Sequence, residues 1–82
     1  MNASLMDSIL RGSRYAVAVY FKGHAVRVRL YVASTGRTII FSRGPVSEGT
    51  DGALREAIRR ANARGWPFPD HVLAECGVEV AA

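Results

Sequence analysis

The 82-residue chain has little of what many small domains rely on: one cysteine, two histidines and three prolines. A single cysteine forms no internal disulfide, so the fold must rest on its core. That cysteine usage fits a reducing, cytoplasmic compartment. His24, His71 and Cys76 are scattered and do not make a zinc ligand set, so neither a metal nor another cofactor is expected. No run of about 18 apolar residues is present, which argues against a membrane span. The opening residues lack a basic n-region, and Asp7 interrupts their apolar stretch, so they do not read as a signal peptide. Gly44-Pro45 and Gly49-Thr50-Asp51-Gly52 match neither a phosphate loop nor a dinucleotide fingerprint.

The nucleophile inventory is equally thin. His71 and Cys76 are five residues apart, which places them on different faces of a helix. Cys76 falls on the apolar side and reads as a core residue, while His24 follows a turn and reads as solvated. Glu48, Asp51 and Asp70 sit where helix caps and turns are expected. The chain is therefore expected not to be an enzyme.

Acidic residues are missing from the strand-rich part of the chain. Between Asp7 and Glu48 there is none, so residues 1–47 carry seven cations and one acid, a net charge of +6. From Glu48 onward four arginines meet six acids, a net of −2, and the whole chain carries +4 with a pI near 10.0. At 49% hydrophobic and 22% charged, the sequence is too apolar for a disordered basic tail. Its length suits one small α+β domain over residues 1–82. A chain this short buries only roughly 60–65% of its unfolded surface, which leaves little material for a deep catalytic cleft.

Periodicity supplies the architecture. Ser4 and Asp7 have the spacing of a helix start, with Leu5, Met6, Ile9 and Leu10 at helical intervals and Gly12 as a stop. Tyr15 to Phe21 alternates as a strand, with Tyr15, Val17, Val19 and Phe21 on one side. Lys22-Gly23 reads as a two-residue turn, which pairs Val19 with Val26, Val17 with Val28 and Tyr15 with Leu30. His24 to Val32 alternates most cleanly: Val26, Val28, Leu30 and Val32 face a core, and Arg27, Arg29 and Tyr31 face away. After Thr35-Gly36, Arg37 to Arg43 forms a third strand with Ile39 and Phe41 expected inward, ended by Gly44-Pro45.

Gly49-Thr50-Asp51 is expected to cap the main helix, which runs to about Arg64 with a stripe of Leu54, Ala57, Ile58 and Ala61. Glu56 and Arg60 are expected to pair across one turn. Gly65 stops this helix, and Trp66 and Phe68 fold back to plug the core. Asp70 to Cys76 makes a short last helix with Val72, Leu73 and Cys76 inward, stopped by Gly77; Val78 and Val80 are candidates for a short edge strand. The order α-β-β-β-α-α describes a three-stranded antiparallel sheet packed on one main helix, with short terminal helices.

One face of that sheet is apolar and the other basic and aromatic. The candidate binding residues are Arg27, Arg29, Tyr20 and Tyr31 on the open face, with Arg14 and Arg43 at its rim. Arginine and tyrosine are the side chains most enriched in interface hot spots. A second candidate surface is the polar side of the main helix, with Arg55, Arg59 and Arg60. Either basic surface can also be read as a solvated face that long arginine stems cover without partners.

Two resemblances accompany these patterns. The order over residues 4 to 64 resembles the double-stranded-RNA-binding domain, which implies phosphate contacts from the start of the last helix. That family carries lysines there, whereas this chain reads Thr50-Asp51-Gly52-Ala53. In size, architecture, Arg/Ala-rich composition and Tyr-containing hairpin, the chain also resembles the small phage proteins that inhibit CRISPR systems. That resemblance implies a steric inhibitor, acting in the bacterial host's cytoplasm on a CRISPR-Cas effector complex. It would block target-DNA binding or nuclease recruitment. The sequence also admits a small antitoxin-type regulatory module. A protein or ribonucleoprotein partner, with nucleic acid as the alternative, is expected; either a monomer or a homodimer is open, with the N-terminal helix and the third strand as possible contacts.

Overall fold

The alternation of the strand region dictates a sheet, and the computed structural model, which describes residues 5–79, contains one. Helix α1 (Leu5–Leu10) precedes strands β1 (Tyr15–Lys22), β2 (Ala25–Val32) and β3 (Thr38–Pro45). A 3-10 turn over Val46–Glu48 leads into the main helix α2 (Gly49–Ala63), and α3 (Asp70–Glu75) follows. The strands form an antiparallel meander in the order β1-β2-β3, so the α+β architecture is the one the periodicity predicts. Ser4 and Val80, assigned above to a helix start and an edge strand, lie outside the described residues; Val78 and Glu79 are not in a strand.

The first turn differs from expectation. Gly23 and His24 form it, so Lys22 faces Ala25, Val19 faces Val28 and Tyr15 faces Val32. Tight hairpin turns of the primed types need a positive φ at their first central residue. Gly23 supplies it at 61°, whereas the Lys22-Gly23 alternative would force that conformation on lysine. The shift is two residues, so every side chain keeps its face.

The second correction is larger. Ile40 and Ser42 point inward on β3, and Phe41 points out and is 57% exposed. Leu30 faces Ile40 but Tyr31 faces Thr38, so Ile39 is an extra residue that resets the alternation. The cause lies in α2. Its Ala53 packs on β3: a Cβ at Gly44 would be in ordinary contact with it at 3.7 Å, and a larger side chain would meet the helix. Small residues at 42 and 44 fit under the helix; phenylalanine on that side would not.

The core sits between the sheet and the helices. Val26, Val28 and Leu30 from β2 meet Leu54, Ala57, Ile58 and Ala61 from α2, all wholly buried. Each large apolar side chain buried in this way contributes roughly 1.5–3 kcal/mol of transfer free energy. Helix α1 lies over β1 and buries Leu5 and Ile9. Both stop signals work as hydrogen-bonded caps. Gly65 N–H donates to the Asn62 carbonyl and Trp66 N–H to Ala61; Gly77 and Val78 repeat the pattern on Ala74 and Leu73. The start of α2 is plainer than expected: the helix begins at Gly49, and Glu48 in the cap position makes no side-chain cap bond. Phe68 is buried and Trp66 packs against the core, both around Tyr15, whose hydroxyl donates to the Pro67 carbonyl at 2.8 Å.

Candidate functional site

Alternation along three strands places the candidate residues in rows. Tyr20, Arg27 and Arg43 face one another across β1, β2 and β3; Ala18, Arg29 and Phe41 form the next row, and Ala16, Tyr31 and Thr38 the third. This is the face turned away from α2, and none of the three strands contains an acidic residue. Arg27, Arg29, Tyr20, Tyr31 and Arg43 are thus brought together as the sequence predicts. Phe41 joins them from the edge strand β3, a residue that sequence reasoning placed in the core. The signal that would have found it is the pair Ser42 and Gly44, two small residues sharing the parity that an Ala-rich helix demands.

The arginines of this face differ in their commitments. Arg29 donates through Nε to Thr38 Oγ1 at 2.7 Å and through Nη2 to the Gly36 carbonyl at 2.8 Å. Its guanidinium lies 4.5 Å from the centre of the Tyr31 ring. Arg29 is therefore a tie between the β2–β3 loop and the sheet. Arg27 has no such tie among the described residues: its Nε is buried and finds no hydrogen-bond partner among them. It stands directly opposite Arg43, and like charges facing across a strand pair repel.

Arg60, assigned from sequence to the helix surface, reaches this region. Its Nη1 donates to the Phe41 carbonyl at 2.9 Å on the free edge of β3. Tyr20, Arg27, Phe41, Ser42, Arg43, Glu56 and Arg60 line an open groove of about 350 Å³. The expected Glu56–Arg60 pair is replaced by Glu56–Arg59 at 2.7 Å. One turn of helix offers Glu56 both arginines, and the Phe41 carbonyl holds Arg60 elsewhere. Glu56 is therefore already paired, and three arginines give the groove a positive field. Ser42 Oγ and Arg27 Nε, the two buried side-chain polar atoms without a partner among the described residues, belong to residues lining this groove. Such atoms ordinarily find water or a ligand.

The remaining candidates sit apart. Arg14 lies 5.3 Å from the Tyr15 ring centre, donates to the Tyr15 hydroxyl at 3.2 Å, and lines a second groove with Pro67, Phe68 and Pro69. Arg59 Nη1 donates to the Cys76 carbonyl at 2.9 Å and so caps α3. Arg55 is exposed on α2. The polar side of α2 is thus divided among a cap, an edge clamp and one outlying cation.

Cys76 is buried at the end of α3, and burial pushes its thiol up to about 11, against a partial pull downward from Arg55 and Arg59. That is the environment of a packing residue, since a reactive cysteine needs a lowered pKa. No group of three His, Cys, Asp or Glu side chains among the described residues is placed to hold a metal ion. No described helix is long and apolar enough to cross a membrane. No protein-family model, curated protein or solved structure matches the chain.

Proposed function

We propose that this chain is a small non-enzymatic binding protein that occupies an anionic surface of its partner with the open face of its sheet. One observation carries the reading: 40 residues without an acid, from 8 to 47, fold so that Arg27, Arg43, Tyr20 and Phe41 share one uncovered face. The supporting chemistry is that of interface anchors. Exposed aromatic rings provide apolar area, and arginines fork onto carboxylates or phosphates. The specific partner we put forward is a CRISPR effector complex in the bacterial cytoplasm. The basis is the resemblance to phage inhibitors in size, architecture and composition, and the mechanism is steric exclusion of target DNA or nuclease.

A pull-down with a purified CRISPR effector complex, followed by a target-cleavage assay, tests the proposal. The protein should be retained and should suppress cleavage, and Arg27→Glu with Arg43→Glu should weaken both at least tenfold while leaving the fold intact. Absence of retention would overturn the partner assignment. Inhibition unaffected by the double reversal would overturn the assignment of the face.

A second reading, direct binding of single-stranded nucleic acid, is favoured by the exposure of the Phe41 and Tyr20 rings, 57% and 43%, beside unpaired arginine. Bases stack on such rings while cations track the backbone. A salt-sensitive gel shift with naked strands at micromolar protein, its affinity falling steeply as salt rises, would select it.

A further inference from the structure

A three-stranded meander has two open edges, and this one treats them differently. Along β3, Ile39 bulges, Arg60 clamps the Phe41 carbonyl, and Gly44-Pro45 closes the strand. Bulges, charges and proline are the devices by which edges avoid pairing with other chains. Along β1, from Tyr15 to Phe21, there is no charge, proline, glycine or bulge.

The Gly23-His24 turn fixes which amides are available. Lys22 and Ala25 flank it as a hydrogen-bonded pair, so Tyr20, Ala18 and Ala16 also direct their amides to β2. Tyr15, Val17, Val19 and Phe21 direct theirs to the open edge. Tyr15 N–H is already taken by Ser13 Oγ at 3.0 Å. Among the described residues Val17, Val19 and Phe21 are left, three residues at the two-residue spacing that an antiparallel partner requires.

From this asymmetry we infer that β1 pairs with β1 of a second copy of the chain, antiparallel, about a two-fold axis at Val19. In that register Val19 faces Val19, and Val17 faces Phe21 twice over, each of the three pairs exchanging two hydrogen bonds. Phe21, 64% exposed on the helix side of the sheet, gains the half-buried valine of the other copy as a neighbour. Tyr20 lies against Ala18, large against small, and Lys22 against Ala16. Moving the axis to Ala18 would set Lys22 against Arg14 and call on the occupied Tyr15 amide. Moving it to Tyr20 would set tyrosine against tyrosine and leave Val17 unused. The other dimer contacts open from sequence are weaker: Leu5 and Ile9 of α1 are spent in the chain's own core, and β3 is guarded. The product is a six-stranded sheet carrying two copies of the basic face, whatever that face binds.

Sedimentation equilibrium and a single-cysteine crosslink test this. The protein should run as a dimer at micromolar concentration, and Phe21→Lys, a change at an exposed position, should yield a folded monomer by far-UV circular dichroism. Val19→Cys in a Cys76→Ala background should form a disulfide-linked dimer on mild oxidation, whereas Arg43→Cys on the guarded edge should not. Should Phe21→Lys fail to fold, the crosslink pair decides. A monomer at every concentration, a dimer indifferent to Phe21→Lys, or crosslinking at position 43 rather than 19 would overturn the inference.

Discussion

Strand β2 carries two surfaces that differ by one residue in phase. Val26, Val28 and Leu30 are wholly buried under α2, while Arg27, Arg29 and Tyr31, their immediate neighbours, are half-buried on the face turned away from α2. The buried set is close-packed against alanines and has almost no freedom to change. The open set keeps the Arg27 Nε without a partner among the described residues and sets Arg27 opposite the like charge of Arg43, arrangements that a fold selected for stability alone would remove. The contrast separates what holds this protein together from what is left over for a partner, and it can be broken residue by residue.

The largest expected effect comes from the buried side. Leu30→Ala should cost about 2–5 kcal/mol, measured by urea denaturation, because α2 and the flanking strands cannot collapse into the space. For a domain whose total stability is of the order of 5–15 kcal/mol, that is a large fraction. A cost below about 1 kcal/mol would mean that the sheet–helix interface is looser than its burial indicates.

Which parts of this contrast could be read beforehand follows from what each residue depends on. The alternation of β2 and the stripe of α2 are local patterns, and Gly65 and Gly77 announce helix ends through a conformation that glycine adopts cheaply. The turn at Gly23-His24 lies one residue beyond the Lys22-Gly23 expectation; that shifts the pairing by two residues, which preserves the faces. Phe41 was misplaced with consequences, because three successive apolar residues, Ile39 to Phe41, permit either phase. The choice between phases depends on how α2 packs on β3, a tertiary fact. Arg59 and Arg60 exchanged roles for the same reason: their partners are backbone carbonyls at Cys76 and Phe41, distant in sequence. The open face itself was legible in outline; its distinction between a bound Arg29 and an unbound Arg27 was not.

Alkaline pH sharpens the comparison at intermediate size. The Cys76 thiol, buried on the helix side, is raised from 9.0 to about 11. Above pH 9 the unfolded chain sheds this proton while the folded chain keeps it, so the unfolded state binds fewer protons and stability falls as pH rises. The contribution is intact below pH 9 and is lost as pH climbs through 11. The quantity to measure is a difference between the wild type and a variant without the thiol. Urea denaturation at pH 8 and pH 10.5 should show a steeper loss for the wild type than for Cys76→Ala. Parallel slopes would mean that the thiol is reached by water.

The smallest effects test the open face against itself. Arg29→Met removes two hydrogen bonds and the stacking on Tyr31, and should cost about 1 kcal/mol. Arg27→Met removes a buried Nε without a partner and a charge facing Arg43, while keeping the apolar stem. Its effect should lie within about 0.5 kcal/mol of zero, or be slightly stabilising. Binding should show the reverse order, with Arg27→Met the more damaging of the two, since only Arg27 has its capacity unspent. If both variants lose equal stability, the open face is part of the scaffold. In that case Arg43 and Phe41, not Arg27, would be the residues left for a partner.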